Sequence, residues 1–224
     1  MPRHPSNTNL RIYDNHTYEG LTLMSKKGPF VEEHLFRLKQ TIELALEEYP
    51  RLLAFRVDLT LPDDGNWPNS ACTNELISRF IESFKAKIEY NRIRARDRNK
   101  YAHTSKVRYV WCREIGWKGR PHYHLLFLLN RNAFFGPGRL ESDAGNLINR
   151  LKQAWASALR LPVSRVDGLV NITRDATYRI NWHMNPDKIR NDQLLNLFKR
   201  ASYMCKTATK AYGDRQHSFG ASRG

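Results

Sequence analysis

The polarity of the chain changes period several times along its length, and each change predicts an element. From 31 to 49, apolar residues recur three and four apart (Leu35, Leu38, Ile42, Leu46, with Leu44 beside them), the spacing of one helical face, and Pro50 ends the run. The next stretch, LLAFRVDLTLP, alternates instead. Phe55, Val57, Leu59 and Leu61 project one way and Arg56, Asp58 and Thr60 the other, which predicts a strand with one apolar and one polar face. PDDGNWPNS is a loop by its Pro, Gly, Asn and Asp content. Thr73 then caps a helix whose Leu76, Ile77, Phe80, Ile81, Phe84 and Ile88 share a face and which runs on into the basic stretch RIRARDRNK (92–100).

Farther along, VRYVWCREI (107–115) and HYHLLFLL (122–129) read as strands joined by a short turn, GWKGRP, and so as a β-hairpin. A helix is predicted over 142–159, two short strands in GLVNITR and ATYRINW (168–182), a last helix over 191–210, and a flexible basic tail in RQHSFGASRG. Residues 1–28 are polar and read as an N-terminal arm, leaving 29–224 as one domain. Helices alternate with strands, but the connections are of hairpin type. The expected class is therefore α+β: a central antiparallel sheet of about five strands, an RRM-like or ferredoxin-like palm, with helices packed on one face.

Charge narrows the range of partners. The 37 Lys and Arg exceed the 22 Asp and Glu of this 224-residue chain, a formal net charge of +15. Such an excess favours nucleic acid; an acidic membrane surface is the competitor, but no basic helix carries the broad apolar face it needs. Arg92, Arg94, Arg96, Arg98 and Lys100 form the densest basic tract, a solvated helix end or a phosphate-contacting surface. Three cysteines without CxxC pairing fit a reducing compartment, and neither a secretion signal nor a run of ~20 apolar residues is present, so a cytoplasmic location is expected.

Two positions carry chemistry. On a strand His122 and His124 project to one face, where neutral imidazoles can chelate a divalent cation; in isolation such a pair is more often two hydrogen-bonded histidines. Glu114 on the preceding strand, or Asp58 on the polar face of 52–62, could complete a His₂–carboxylate set, which suits Mg²⁺ or Mn²⁺ better than zinc. The second position is Tyr203. On a helix it falls roughly 160–180° from the stripe of Leu194, Leu197, Phe198, Ala201, Met204, Cys205 and Ala208, and Lys199, Lys206 and Lys210 share its side. It reads as a surface tyrosine beside solvated lysines, or as a phenol held in a cationic field beside a phosphate.

GRPHYHLLF followed by a helical YMCK resembles the HUH endonuclease superfamily of rolling-circle replication initiators. LAFRVDLTLP resembles its first-strand motif, REIGWKGRPHYHLLFLL its metal-binding hairpin and ASYMCKTATK its tyrosine helix; AYGDRQHSFGASRG is similar to the filamentous-phage (inovirus) initiators and related prophage proteins. The resemblance covers roughly 50–224. It implies that His122, His124 and Glu114 bind the cation, that Tyr203 attacks a scissile DNA phosphate and that Lys206 steadies the phosphate. The product would be a 5′-phosphotyrosine link and a free 3′-hydroxyl. Some members carry a second tyrosine one turn on; here position 207 is Thr, which implies a single-tyrosine enzyme, and Tyr212 lies too far along to replace it.

The implied partner is single-stranded or hairpin DNA at a replication origin in a bacterial host cell, with host helicase and polymerase. Lys118, Arg120, Lys199 and Lys210, with the basic tract, are the expected DNA contacts, and Trp117, Tyr123 or Trp182 the base-stacking candidates. A non-catalytic nucleic-acid-binding module on an RRM-like sheet, and an HUH transposase or relaxase, are the alternatives. A histidine phosphoesterase would need a further aligned histidine, for which His183 is a loose candidate.

Overall fold

A computed structural model of the chain describes residues 2–65, 67–116, 119–138, 145–182, 192–210, 212 and 214–223; Lys118, Trp117 and His183 lie outside them. Its centre is the predicted hairpin, β7 (Arg108–Ile115) and β8 (Pro121–Asn130), beside β6 (Arg51–Leu59) and β9 (Val170–Asn181), with β10 (Phe219–Ala221) at one edge. The five strands lie in the order β10-β7-β8-β6-β9, and every neighbouring pair is antiparallel. The fold is α+β.

Helices cover both faces of this sheet, where one was expected. On one side α2 (Asn74–Arg98) and α3 (Leu147–Leu159) pack over Phe55, Val57, Leu59, Tyr123, Leu125 and Phe127. Ring contacts fill the gap: Phe84 stands 4.7 Å from Phe127 and Phe80 5.6 Å from Trp155, whose indole nitrogen donates to the Thr60 carbonyl at 2.9 Å. On the other side α1 (Glu32–Glu48) and α4 (Asp192–Ala201) cover Leu52, Ala54, Leu126, Leu128 and Ile180. A strand buried on both faces reads as an unbroken apolar run, which is why LLFLL carries no alternation to show its second layer. Tyr123, a stacking candidate, is wholly buried between the sheet and α3 and contacts no base. Trp182 is half-buried beside the α1/α4 layer.

Both chain ends are built into the structure. Residues expected as an arm form β1 (Arg3–His4) and β2 (Asn7–Tyr13), sheet partners of β5 (Phe30–Val31), and a small hairpin of β3 (Thr17–Tyr18) and β4 (Leu21–Thr22). Tyr18, Leu23 and Phe30 are buried in the α1/α4 layer. A few apolar side chains among many polar ones were enough to fix the segment, a sparse pattern that composition averages away. At the other end, the expected flexible tail supplies β10, with Phe219 opposite Cys112 and Ala221 opposite Val110. Gly220 makes this possible: a Cβ there would lie 2.5 Å from the Trp111 indole nitrogen, so only glycine lets the edge strand cross that ring.

Two further boundaries moved. The two short strands over 168–182 are one twelve-residue strand with a bulge opposite Arg56. The last helix ends at Ala201 and tightens into a 3₁₀ turn, Ser202–Cys205, after which the chain is extended at Lys206. Contacts with the N-terminal segment redirect it there: the Met24 amide donates to Ser202 Oγ (3.0 Å), Phe30 bridges Lys206, and the Thr207 amide donates to the Pro29 carbonyl (2.9 Å). Among the described residues no helix is long and apolar enough to cross a membrane.

Candidate functional site

The hairpin register sets Glu114 opposite His122 and Cys112 opposite His124, so glutamate and both imidazoles share one face at one end of the sheet. This is the α1/α4 face. Leu126 and Leu128, next along it, are sealed by the helices, whereas His122 and His124 lie where that cover gives way to the 3₁₀ turn. One ligand atom each from Glu114, His122 and His124 lies within 4.8 Å of the others, a spacing that could hold a metal ion. Glu114 Oε2 stands 3.6 Å from the Nε2 of each histidine. Glu114 and His124 are nearly buried, while the His122 side chain keeps 30% of its surface open.

Asp58, weighed on sequence as a third ligand, takes a different place. It pairs with His124 across β6 and β8, and its Oδ1 lies 2.6 Å from His124 Nδ1. Arg56 Nη2 also approaches Nδ1, at 2.9 Å. A guanidinium only donates, so it cannot bond to an Nδ1 that carries a proton. The shorter contact to the carboxylate claims that proton, and Arg56 is held through its Nε on Asp58 Oδ1 at 3.2 Å. Thr173 Oγ1 donates to the other Asp58 oxygen at 3.3 Å. The Nδ1–H tautomer leaves the His124 Nε2 lone pair aimed at the cluster, the arrangement of a metal-ligating histidine backed by a carboxylate. Asp58→Ala should therefore weaken divalent-cation binding about 10- to 100-fold while leaving the three ligands in place. Calorimetric titration with Mn²⁺ reads this directly; an unchanged affinity would leave Asp58 no orienting role.

Charge inside the site is balanced on Glu114. Burial alone would raise its pKa, but the contacts with His122 and His124, and then the Lys210 charge, hold it far below the usual carboxylate range. Burial likewise lowers His124, and the Asp58 and Glu114 contacts outweigh it, raising the ring above its ordinary value. Lys206 Nζ sits 3.2 Å from Glu114 Oε2 and Lys210 Nζ 3.5 Å from Oε1. Lys210 was grouped on sequence with the DNA contacts. Its side chain has no solvent exposure and packs among Glu114, Cys112 and Cys205, so it serves as a buried counter-charge and cannot reach a strand.

Tyr203 stands over this cluster from the 3₁₀ turn. Its ring lies 5.8 Å from the His124 ring, nearly perpendicular to it, and the Arg56 guanidinium lies 5.0 Å from its centroid. Lys206 Nζ donates to Tyr203 Oη at 2.5 Å, so one ammonium bridges the phenol and Glu114. The neighbouring Met204 and Cys205 are fully buried while Tyr203 stays partly exposed. The prediction that it faces away from the core holds, although a continuous helix was the wrong reason. Sequence reasoning missed Arg56; its alternation with Asp58 on the polar face was the available signal.

The remaining expected DNA contacts are scattered. Arg120 lies at this end of the sheet but pairs with Asp63 at 2.7 Å and with the Pro62 carbonyl. Lys199 is exposed on α4. The tract Arg92, Arg94, Arg96, Arg98 and Lys100 belongs to α2 and its end, on the opposite face of the sheet. Arg92 binds the carbonyls of His103 and Ala133, beside the far end of the hairpin. At ~3.4 Å per residue, β8 alone separates that end from His122 by about 27 Å. The tract and the cluster do not form one surface.

Comparison with known proteins places this arrangement in a lineage. The family model for the YagK/YfjJ C-terminal domain matches residues 13–222. Two Escherichia coli (strain K12) proteins are similar: "Uncharacterized protein YfjJ", 31% identical over 211 residues, covering 91% of this chain and 100% of the relative, and "Uncharacterized protein YagK", 31% identical over 214 residues, covering 92% and 98%. No solved structure matches the chain. The family match runs from the last residue of β2 through the β3/β4 hairpin, the metal-site hairpin, the tyrosine turn and the edge strand β10, and so the chain belongs to the YagK/YfjJ C-terminal domain family.

Proposed function

We propose that the chain is a metal-dependent, single-tyrosine enzyme that nicks and rejoins single-stranded DNA through a 5′-phosphotyrosine intermediate, in the manner of an HUH-type initiator of rolling-circle replication. The observation that carries the reading is the position of a partly exposed phenol over a Glu–His–His cluster, with Lys206 touching both. A non-catalytic binding module would leave that constellation without a use.

Glu114, His122 and His124 would hold the ion, and one carboxylate with two imidazoles and an open side suits Mg²⁺ or Mn²⁺. When bound, it supplies Lewis-acid neutralisation of the scissile phosphate. The protein's own groups do the rest. Asp58 fixes the His124 tautomer. Lys206 anchors Tyr203 Oη above the cluster, where its ammonium can also meet a phosphate oxygen. Arg56 lies against the phenol ring and confines its swing. In the reaction Tyr203 Oη loses its proton and forms a bond to phosphorus, the bond from phosphorus to the 3′ oxygen breaks, and that oxygen takes up a proton. The strand is left with a 3′-hydroxyl that a polymerase can extend, and rejoining is the same exchange reversed.

Nicking requires access to one face of a backbone, which favours single-stranded or hairpin DNA over stacked duplex. The test is incubation of the purified chain with a pool of single-stranded oligonucleotides, with Mn²⁺ or with EDTA. A denaturation-resistant protein–DNA adduct is expected with Mn²⁺ alone, together with a released fragment ending in a 3′-hydroxyl. Binding without adduct across the pool would support the non-catalytic module instead.

A further inference from the structure

Two wide grooves lie away from the metal cluster. One, of about 990 Å³, lies between α2 and α3 and is lined by Lys87, Tyr90, Arg94, Arg98 and Arg150 among others. A second, of about 890 Å³, contains Phe135 and Arg179 and shares Asn91, Arg92, Gly145 and Arg150 with the first. Each alone reaches the upper end of a small-ligand site (about 300–1,000 Å³), and joined they form a trough longer than such a ligand fills. No carboxylate occurs among its described lining residues. Burial disfavours the charge of both Arg92 and Arg150, and Arg92 adds repulsion on Arg150. No carboxylate among the described lining residues faces these two crowded guanidiniums, an arrangement that favours an arriving anion. Arg94 does meet Asp97 at 3.5 Å, but both side chains are exposed and such a pair holds weakly.

Aromatic rings interleave with these cations. Tyr90 is 65% exposed and Phe135 72%, unusual for large apolar side chains and suited to stacking on a base. Phe135 is held in place: Arg179 Nε donates to its carbonyl at 2.9 Å, and the same guanidinium lies 4.6 Å from its ring. Arg179 faces this trough because it pairs with Leu53, whose side chain belongs to the α2/α3 layer.

We infer that the α2/α3 trough is a second binding site, for single-stranded nucleic acid, separate from the cleavage site and on the opposite face of the sheet, with Phe135 and Tyr90 as stacking platforms and Arg94, Arg98 and Arg150 as phosphate contacts. It goes beyond the nicking reading and does not depend on Tyr203. If cleavage occurs at the cluster, a strand engaged at both places is gripped on either side of the sheet, so the trough retains DNA whose end has been released.

Fluorescence anisotropy of labelled oligothymidylate, in EDTA and at two salt concentrations, tests this on the full chain. Without divalent ion the cluster cannot act, so failure here leaves the cleavage reading standing. Phe135→Ala is expected to weaken binding about tenfold. Arg94→Glu combined with Arg98→Glu should weaken it further and flatten the dependence of log affinity on log salt by about 1.4, two phosphate contacts at about 0.7 each. All three positions are exposed, so the substitutions are expected to leave folding intact, which circular dichroism checks. Parental affinity and salt slope in both variants would overturn the inference. So would loss of binding to phosphatidylserine vesicles with no loss on the oligonucleotide, which would make the trough a membrane contact. Duplex bound as tightly as single strands, with Phe135→Ala silent, would also overturn it.

Discussion

Tyr203→Phe is expected to abolish the covalent protein–DNA adduct while leaving affinity for the same oligonucleotide within about twofold. The substitution keeps the ring that meets His124 at 5.8 Å and Arg56 at 5.0 Å, and removes only the oxygen that Lys206 touches. One lost hydrogen bond at a partly exposed position costs on the order of 1 kcal/mol, too little to unfold the chain. Loss of the nucleophile, by contrast, is absolute, because no second phenol among the described residues replaces it over the cluster: Tyr123 is buried on the opposite face of the sheet, and position 207 is threonine. A denaturing gel with labelled oligonucleotide and Mn²⁺ reads the outcome. An adduct of parental yield in the Phe variant would move the nucleophile elsewhere.

Glu114→Ala is expected to be the most damaging single change in the site, for stability as well as for metal. The Glu114 side chain is 3% exposed and faces both histidines and two buried ammonium groups. Removing one partner from a buried charge network leaves the others uncompensated, at a cost of about 3–5 kcal/mol. At about 2–4 °C per kcal/mol for a chain of this size, the melting temperature should fall by roughly 6–20 °C. The sign with pH follows from the depressed pKa of Glu114. Its contribution is complete above the ordinary carboxylate pKa of about 4.3 and fades as pH drops below it, so the gap between parent and variant should narrow on acidification. Mn²⁺ should raise the melting temperature of the parent and not of the variant. Thermal denaturation with and without Mn²⁺, at neutral pH and below pH 4, measures all three effects; an equal Mn²⁺ shift in both proteins would remove Glu114 from the ligand set.

How much of this was legible in the sequence depended on whether a signal was local. The hairpin was legible because both strands are apolar and their turn is short, and its register brought Glu114, His122 and His124 together. The polar alternation of β6 put Arg56 and Asp58 on the site's face, but sequence alone could not tell a ligand from an orienting carboxylate. That distinction rests on a hydrogen bond between strands 66 positions apart. Lys210 was misread because a helix was extended nine residues past its end at Ala201; the chain leaves helical geometry under contacts with Met24, Pro29 and Phe30, which no local window contains. The edge strand β10 was hidden for the same reason: three residues, one of them glycine, carry no periodicity of their own.

The central claim is that one divalent cation sits between Glu114, His122 and His124, in front of Tyr203. Crystals of the chain soaked in Mn²⁺ and measured for anomalous scattering test it most directly. A single strong peak is expected within direct bonding distance, about 2–2.5 Å, of Glu114 Oε2 and of the Nε2 atoms of both histidines, on the side that Tyr203 Oη overhangs. A peak bound through Asp58 without Glu114, or no peak at the cluster at saturating Mn²⁺, would contradict it.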